Sequence, residues 1–331
     1  MKRIGVTPGC PAGIGPEVIA RALANAPPAR YVFFASRATL EEGARRARMR
    51  ASRLAHVVCA IAEGDDRCAG AWPAVVDDDA LAGQRDSLVW ACEAAARGEL
   101  DAIVTGPVRK RALVVEGVSY PGQTEIVERY LGDGKRALMV FAGGRCSSRS
   151  GRDGPFVLGL ATVHVALKDV AAALSADVVD NAITRLDAAA RAILGKKRAH
   201  LVVLGVNPHA GEGGMFGREE IDVVTPAIER ARQRGVDVRG PVPADGFFAD
   251  VARKRATNVD AVLAMHHDQG LAPYKLLVKG EGINVTWGVR VPRTSPDHGT
   301  ADALAGTGKA SSASMQAALA LAVRIARKSS G

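Results

Sequence analysis

Residues 156–209 read FVLGLATVHVALKDVAAALSADVVDNAITRLDAAARAILGKKRAHLVVLGVNPH. The run from Phe156 to Val163 is short and mostly apolar, the pattern of a buried strand. Ala176 to Leu194 then carries helical periodicity, and Ala199 to Val206 is a second short apolar run. Strand, helix, strand in that order builds a parallel sheet, because a parallel neighbour needs a long crossover connection. Each strand also delivers a histidine just past its end: His164 and His209.

The same alternation extends in both directions. Ile4 to Val6, Tyr31 to Ala35, Ala55 to Ile61, Asp101 to Thr105, Ala137 to Phe141, Ala261 to Ala264 and Ile283 to Trp287 read as strands. Helices are predicted over Pro16 to Asn25, with proline at the start, Arg37 to Arg48, Gln84 to Arg97, Glu125 to Leu131, Glu219 to Arg234 and Ser314 to Arg327. The fold class is α/β with a largely parallel sheet. Gly143 to Gly154, between two apolar runs, is predicted to be a hairpin loop whose three arginines form a solvated tip.

A chain of 331 residues accommodates two α/β domains of ordinary size. The 44 basic against 35 acidic residues leave a net charge of +9, which suits an anionic ligand. Aromatic residues are only 4% and do not interleave with basic ones, which argues against nucleic acid as a partner. No apolar run approaches the ~20 residues of a membrane span, and the first residues read as a strand rather than a secretion signal. Five scattered cysteines without a C-x-x-C pair fit a reducing, cytoplasmic setting.

The histidines carry the chemistry. His164, His209 and the pair His266-His267 each follow an apolar strand, and strand carboxyl ends line the ligand crevice of a parallel sheet. One histidine at a strand end is ordinary; three with the same placement point to a shared site for a divalent metal. Of the adjacent pair only one can point into the crevice, since side chains alternate along an extended chain. Asp268 beside them is either an acceptor that orients a histidine or a direct ligand.

The phrases around these residues are Gly13-Ile14-Gly15-Pro16-Glu17, Thr105-Gly106-Pro107-Val108, Asn207-Pro208-His209-Ala210-Gly211-Glu212-Gly213-Gly214, Gly217-Arg218-Glu219-Glu220, Pro241-Val242-Pro243-Ala244-Asp245, His267-Asp268-Gln269-Gly270-Leu271 and Asp297-His298-Gly299-Thr300-Ala301. In this order they resemble the 4-hydroxythreonine-4-phosphate dehydrogenase family over nearly the whole chain. The resemblance implies two α/β/α subdomains with a cleft between them, as in isocitrate and isopropylmalate dehydrogenases. One would span 1–125 with 280–331 and carry the dinucleotide loop; the other would span 126–279 with the metal ligands and the interface of a homodimer. Active sites would lie at that interface.

Carried over by position, the metal ligands are His164, His209 and His267, since the family has tyrosine where His266 stands. The metal is Zn, Mg or Co, one per site. Substrate contacts fall on Gln123, Thr124, Lys275, Asn284 and Arg293, and the acid/base candidates are Lys275, Asp245 and Asp268. The cofactor, NAD or NADP, would lie against Asp297, Gly299, Thr300, Ala301 and Gly306. The first loop lacks G-x-G-x-x-G spacing, so no Rossmann fingerprint is present. Four departures stand out: Gln123 for a histidine, Cys10 for an aspartate, Gly246 for a threonine, and Val289-Arg290 for Leu-Pro.

The implied reaction oxidises 4-phosphohydroxy-L-threonine to a 3-keto acid, which decarboxylates to 3-amino-2-oxopropyl phosphate in pyridoxal phosphate biosynthesis. In it the metal polarises the substrate oxygen and the cationic side chains bind the anionic groups. Two other readings use the same residues. A paralogous dehydrogenase would act on D-threonate or D-erythronate 4-phosphate, and a metal-dependent hydrolase would direct water with the three histidines.

Overall fold

The computed structural model describes residues 1–60, 78–147, 153–256 and 258–326. The chain divides into two units, Met1–Gly134 with Ile283–Gly331, and Lys135–Gly282. The first begins with β1 (Arg3–Thr7), α1 (Gly15–Leu23), β2 (Arg30–Phe33), α2 (Arg37–Arg46), β3 (Val58–Cys59), α3 (Asp78–Ala96) and β4 (Ala102–Thr105). A small hairpin of β5 (Val114–Val115) and β6 (Val118–Ser119) leads into α4 (Gln123–Leu131).

The second unit holds β7 (Leu138–Ser147), β8 (Asp153–Leu160), α5 (Val170–Ala173), α6 (Ala176–Leu194), β9 (Leu201–Leu204), α7 (Thr225–Gln233), β10 (Val238–Val242), α8 (Ala244–Ala252), β11 (Ala261–Ala264) and α9 (His267–Val278). The chain then returns to the first unit with β12 (Ile283–Trp287), β13 (Arg293–Pro296) and α10 (Ala313–Ile325).

Strand order in the first unit is β12-β13-β4-β1-β2-β3, all parallel except β12. In the second it is β10-β9-β11-β8-β7, with β7 alone antiparallel. The three strands read as leading to histidines, β9, β11 and β8, are therefore parallel neighbours ending at one edge.

Helix α6 matches its predicted span. Ser175 caps its start, accepting from the Val178 N–H at 3.2 Å, and Gly195 ends it in the left-handed conformation at φ 67°. Its buried stripe includes Val179, Ile183, Leu186 and Ile193, and burial of each such side chain stabilises by about 1.5–3 kcal/mol. Leu158, Leu160, Val202, Leu204 and Val262 form a core with Leu271, Tyr274 and Val278 of α9.

Several elements differ from the sequence reading. Of the strand expected over Ala55 to Ile61, the described residues form strand only at Val58–Cys59, and the helix expected from Glu219 opens with a π-turn, Glu220–Val224. β8 stops at Leu160, which leaves His164 four residues past its end. β10, α8, α9 and β13 were not foreseen. β7 and β8 form the expected hairpin, but the strands run further than expected: Gly143 to Ser147, Arg145 included, and Asp153-Gly154 pair as strand instead of loop, while Arg149 and Arg152 lie outside the described residues. Among the described residues no helix is long and apolar enough to cross a membrane.

Candidate functional site

In the second unit, each histidine-bearing turn is held differently. The turn after β9 is the most constrained. From His209 to Gly213 every residue has positive φ, at 53°, 52°, 80°, 42° and 65°. Three of these, His209, Ala210 and Glu212, are not glycine, and left-handed backbone costs an L-residue roughly 1–2 kcal/mol each. Such a run persists only where surrounding structure over-determines it.

Glu220 supplies that structure. Its carboxylate is 3% exposed and accepts from the N–H groups of Val206 (2.6 Å) and Asn207 (2.7 Å), and from Asn207 Nδ2 (3.0 Å). Hydrogen bonds to a charged group contribute about 1.5–3 kcal/mol each, enough to offset the strain. Gly211 is required here, because a Cβ would stand 2.6 Å from Glu220 Oε2. The π-turn is the local device that places Glu220 beneath the loop.

The turn after β11 separates the adjacent histidines. His266 is the N-cap of α9, its Nδ1 facing the Gln269 N–H at a long 3.4 Å, and burial lowers its pKa. A neutral ring with an accepting Nδ1 suits that capping role. His267 opens the helix, and its Nδ1 lies 2.7 Å from Asp268 Oδ1. With the Nδ1 proton on the carboxylate side, the Nε2 lone pair is left for a metal. His209 has a looser version of the same arrangement, with Nδ1 3.5 Å from Glu212 Oε2, and its ring meets Phe216 edge-on at 6.0 Å.

The rings of His164 and His267 lie 6.3 Å apart. A ligating imidazole has its centroid about 3 Å from the ion, so this spacing is about an ångström wider than tetrahedral ligation of one ion by both rings requires. Among the described residues, no three of His, Cys, Asp or Glu in the single chain stand close enough to share an ion. The donor chemistry of the three histidines fits a divalent metal, and the chain alone brings two of the rings together. Asp245 is exposed in the first turn of α8, and Lys275 is exposed in the last turn of α9.

The remaining substrate positions lie in the first unit. Arg293 begins β13, is 3% exposed, and donates from Nε (2.9 Å) and Nη2 (2.6 Å) to Thr105 Oγ1. The Glu125 carboxylate lies near enough to favour the charged form of Arg293, but the guanidinium's hydrogen bonds go to the hydroxyl. Burial lowers its pKa to about 10, so it stays protonated at neutral pH. A buried cation whose own partner is a neutral hydroxyl favours an anion. Thr124 Oγ1 meets Thr286 Oγ1 at 3.3 Å, and Asn284 on β12 has a buried Oδ1 without a partner.

Gln123 is 8% exposed and its Nε2 donates to Gly106 O at 3.1 Å. Because a carbonyl can only accept, the amide nitrogen must face it, which leaves Oε1 as the unpartnered atom. This glutamine therefore presents an acceptor, with its donor committed to the Gly106 carbonyl.

The loop from Asp297 to Gly308 follows β13 and is pinned by the first loop and α1. Ile14 N–H donates to Thr300 O at 2.9 Å, and Gly306 N–H to Glu17 Oε2 at 3.1 Å. Glu17 is fully buried, and burial raises its pKa. Arg21 donates to Gly308 O and Ala310 O, both at 2.8 Å, and Arg109 pairs with Asp302 at 2.7 Å. Gly299, Ala301 and Gly306 are exposed on this braced backbone. Sequence reasoning missed Glu17, Glu220 and Gln269 as supports, although all three stand in the motifs it quoted.

The sequence signature of the family described as pyridoxal phosphate biosynthetic protein PdxA matches residues 28–322. A 4-hydroxythreonine-4-phosphate dehydrogenase of Burkholderia vietnamiensis is 40% identical, with 98% of this chain and 97% of that protein covered. The crystal structure of a 4-hydroxythreonine-4-phosphate dehydrogenase from Klebsiella pneumoniae aligns with TM-score 0.76 and 33% identity, covering 99% of this chain and all of that one. A β-decarboxylating dehydrogenase from Thermococcus kodakarensis shares the fold at TM-score 0.51 and 17% identity, over 97% of this chain and 81% of that one.

Proposed function

The chain belongs to the PdxA family of pyridoxal phosphate biosynthetic proteins, and on that premise we propose that it is a 4-hydroxythreonine-4-phosphate dehydrogenase. With NAD or NADP it oxidises the secondary alcohol of 4-phosphohydroxy-L-threonine to a 3-keto acid, which loses CO2 to give 3-amino-2-oxopropyl phosphate. The observation that carries this reading is the nearly end-to-end match to enzymes of that name.

The residues divide the work. His164, His209 and His267 hold a divalent ion, Zn, Mg or Co, which supplies Lewis acidity at the substrate oxygen when bound. Asp268 fixes the tautomer of His267 that leaves Nε2 for the ion. Arg293, Thr124, Asn284 and Lys275 bind the substrate's anionic and polar groups, aided by the free N–H groups at the start of α4. Lys275, Asp245 and Asp268 are the groups through which protons move. The braced loop from Asp297 to Gly306 receives the dinucleotide.

We place the enzyme in the cytoplasm, where the free thiols of Cys10, Cys59 and Cys92 fit a reducing milieu. It works as a homodimer. Leu167, Met215, Phe216 and Ile221 are exposed in the segments that follow His164 and His209, and Leu276 is exposed near the end of α9; exposed apolar side chains in this unit favour cover by a second copy.

The test is a coupled assay of the purified protein with a divalent metal and each cofactor, following reduced dinucleotide by absorbance. Turnover of 4-phosphohydroxy-L-threonine above D-threonate and D-erythronate 4-phosphates is expected. Turnover of a sugar acid phosphate alone would assign the paralogous reaction. Substrate cleavage without dinucleotide reduction would assign a hydrolase.

A further inference from the structure

The ladder between β9 and β11 pairs Ala261 with Leu201, Val262 with Val202 and Leu263 with Val203, and then stops. Beyond it the strands diverge: Gly205 N–H turns to Val242 O on the other side at 2.9 Å. On the β8 side the ladder carries on, with Ala161 N–H donating to Ala264 O at 2.9 Å and Thr162 N–H to Met265 O at 3.1 Å. Thr162 Oγ1 also donates to Met265 O at 2.7 Å. Separation of β9 from β11 leaves the Gly205 carbonyl and the Met265 N–H facing a gap.

The side chain of Gln269 fills it. Its Oε1 accepts from the Met265 N–H at 2.7 Å, and its Nε2 donates to Gly205 O at 2.6 Å. A primary amide offers the same donor and acceptor as a peptide group, so it can act as a ladder rung inserted between strands that have parted. Gly205 leads into the turn that carries His209, Met265 directly precedes His266-His267, and Thr162 lies two residues before His164. The Met265 peptide groups and one glutamine thus join the exits of all three strands.

We propose that Gln269 is a positioning residue for the metal ligands, holding in place the strand exits from which the turn bearing His209 and the turn bearing His267 depart. The inference rests on the reading of these histidines as metal ligands. Its chemistry explains why glutamine stands there. Glutamate would turn a carboxylate oxygen against Gly205 O, and methionine would leave two backbone polar groups unpaired.

The test uses Co2+ as probe, since its visible absorption reports both affinity and ligand geometry. Gln269→Glu should weaken Co2+ binding about 10- to 100-fold and alter its spectrum while far-ultraviolet circular dichroism stays native, as for other groups that orient metal ligands. Ile183→Val, a mild core change in α6, should lower the melting temperature without altering Co2+ affinity. His267→Ala should abolish Co2+ binding; if it does not, the metal reading fails. Should His267→Ala abolish binding while Gln269→Glu binds Co2+ with native affinity and spectrum, the positioning role fails and the metal reading stands. A second measurement needs no variant: the Met265 amide should be protected from hydrogen exchange in the natural protein, and rapid exchange would overturn the rung.

Discussion

Arg293 and Gln123 make opposite electrostatic statements. Arg293 is a buried guanidinium bonded to a hydroxyl, and it stays charged at neutral pH despite the lowering of its pKa to about 10. If it reads the phosphate, Arg293→Ala should lower kcat/KM for the phosphorylated substrate far more than for its unphosphorylated analogue. The expected loss is about 2–5 kcal/mol, the range for removing one member of a buried charge pair. Equal losses for both analogues would show that Arg293 serves only the fold. Gln123 carries no charge, and its amide nitrogen is committed to Gly106 O. The natural enzyme should therefore show no titration from this position. Gln123→His should add one between about pH 6 and 7, with tighter substrate binding on the acid side where the ring is cationic. Superimposable profiles of kcat/KM against pH would remove position 123 from the substrate contacts.

Among the elements, the turn from His209 to Gly213 and the π-turn at Glu220 form one strained and braced unit. Glu220→Ala removes a buried acceptor from two backbone N–H groups and from Asn207 Nδ2. Urea unfolding should show a loss of about 2–4 kcal/mol, beyond that of an ordinary surface substitution. A loss under about 0.5 kcal/mol would mean that the left-handed run is held by something else. The elements also differ in how readily the sequence announces them. α6 is legible because Ser175, an uninterrupted apolar period and Gly195 all agree on its limits. α9 is not, because Gly270 and Pro273 interrupt the pattern that would mark it, and tertiary packing of Leu271, Tyr274 and Val278 overrides their local preference. β13 was hidden for another reason: its Arg293-Thr294-Ser295-Pro296 is polar, yet wholly buried. Strand ends with histidines could be read because burial imposes the apolar run. The supports Glu17, Glu220 and Gln269 could not, since their partners are backbone groups far away in sequence or hidden in turns.

At the scale of the whole molecule, exposed apolar side chains favour a second copy. Leu276 is 79% exposed, Leu167 75% and Met215 74%, all in the unit that carries the histidines. Isolated exposed leucines are unremarkable, but here Leu167 follows His164 by three residues, Met215 follows His209 by six, and Leu276 lies on the helix that His267 opens. Leu167 and Met215 thus stand close in sequence to two of the proposed ligands, while Leu276 extends the exposed apolar set to the far end of α9. If a second copy covers these side chains, the protein should run as a dimer at micromolar concentration by light scattering. The double variant Leu167→Asp with Leu276→Asp should be monomeric, because two carboxylates would be buried without partners. Both positions are exposed, so the chain's own stability should change little, and circular dichroism with thermal melting provides the check. The monomer should bind Co2+ more weakly and lose most dehydrogenase activity, because the site is proposed to be completed at the interface. A variant that remains dimeric would place the interface elsewhere on the chain. Full activity in a species shown to be monomeric would remove the second copy from the catalytic site altogether.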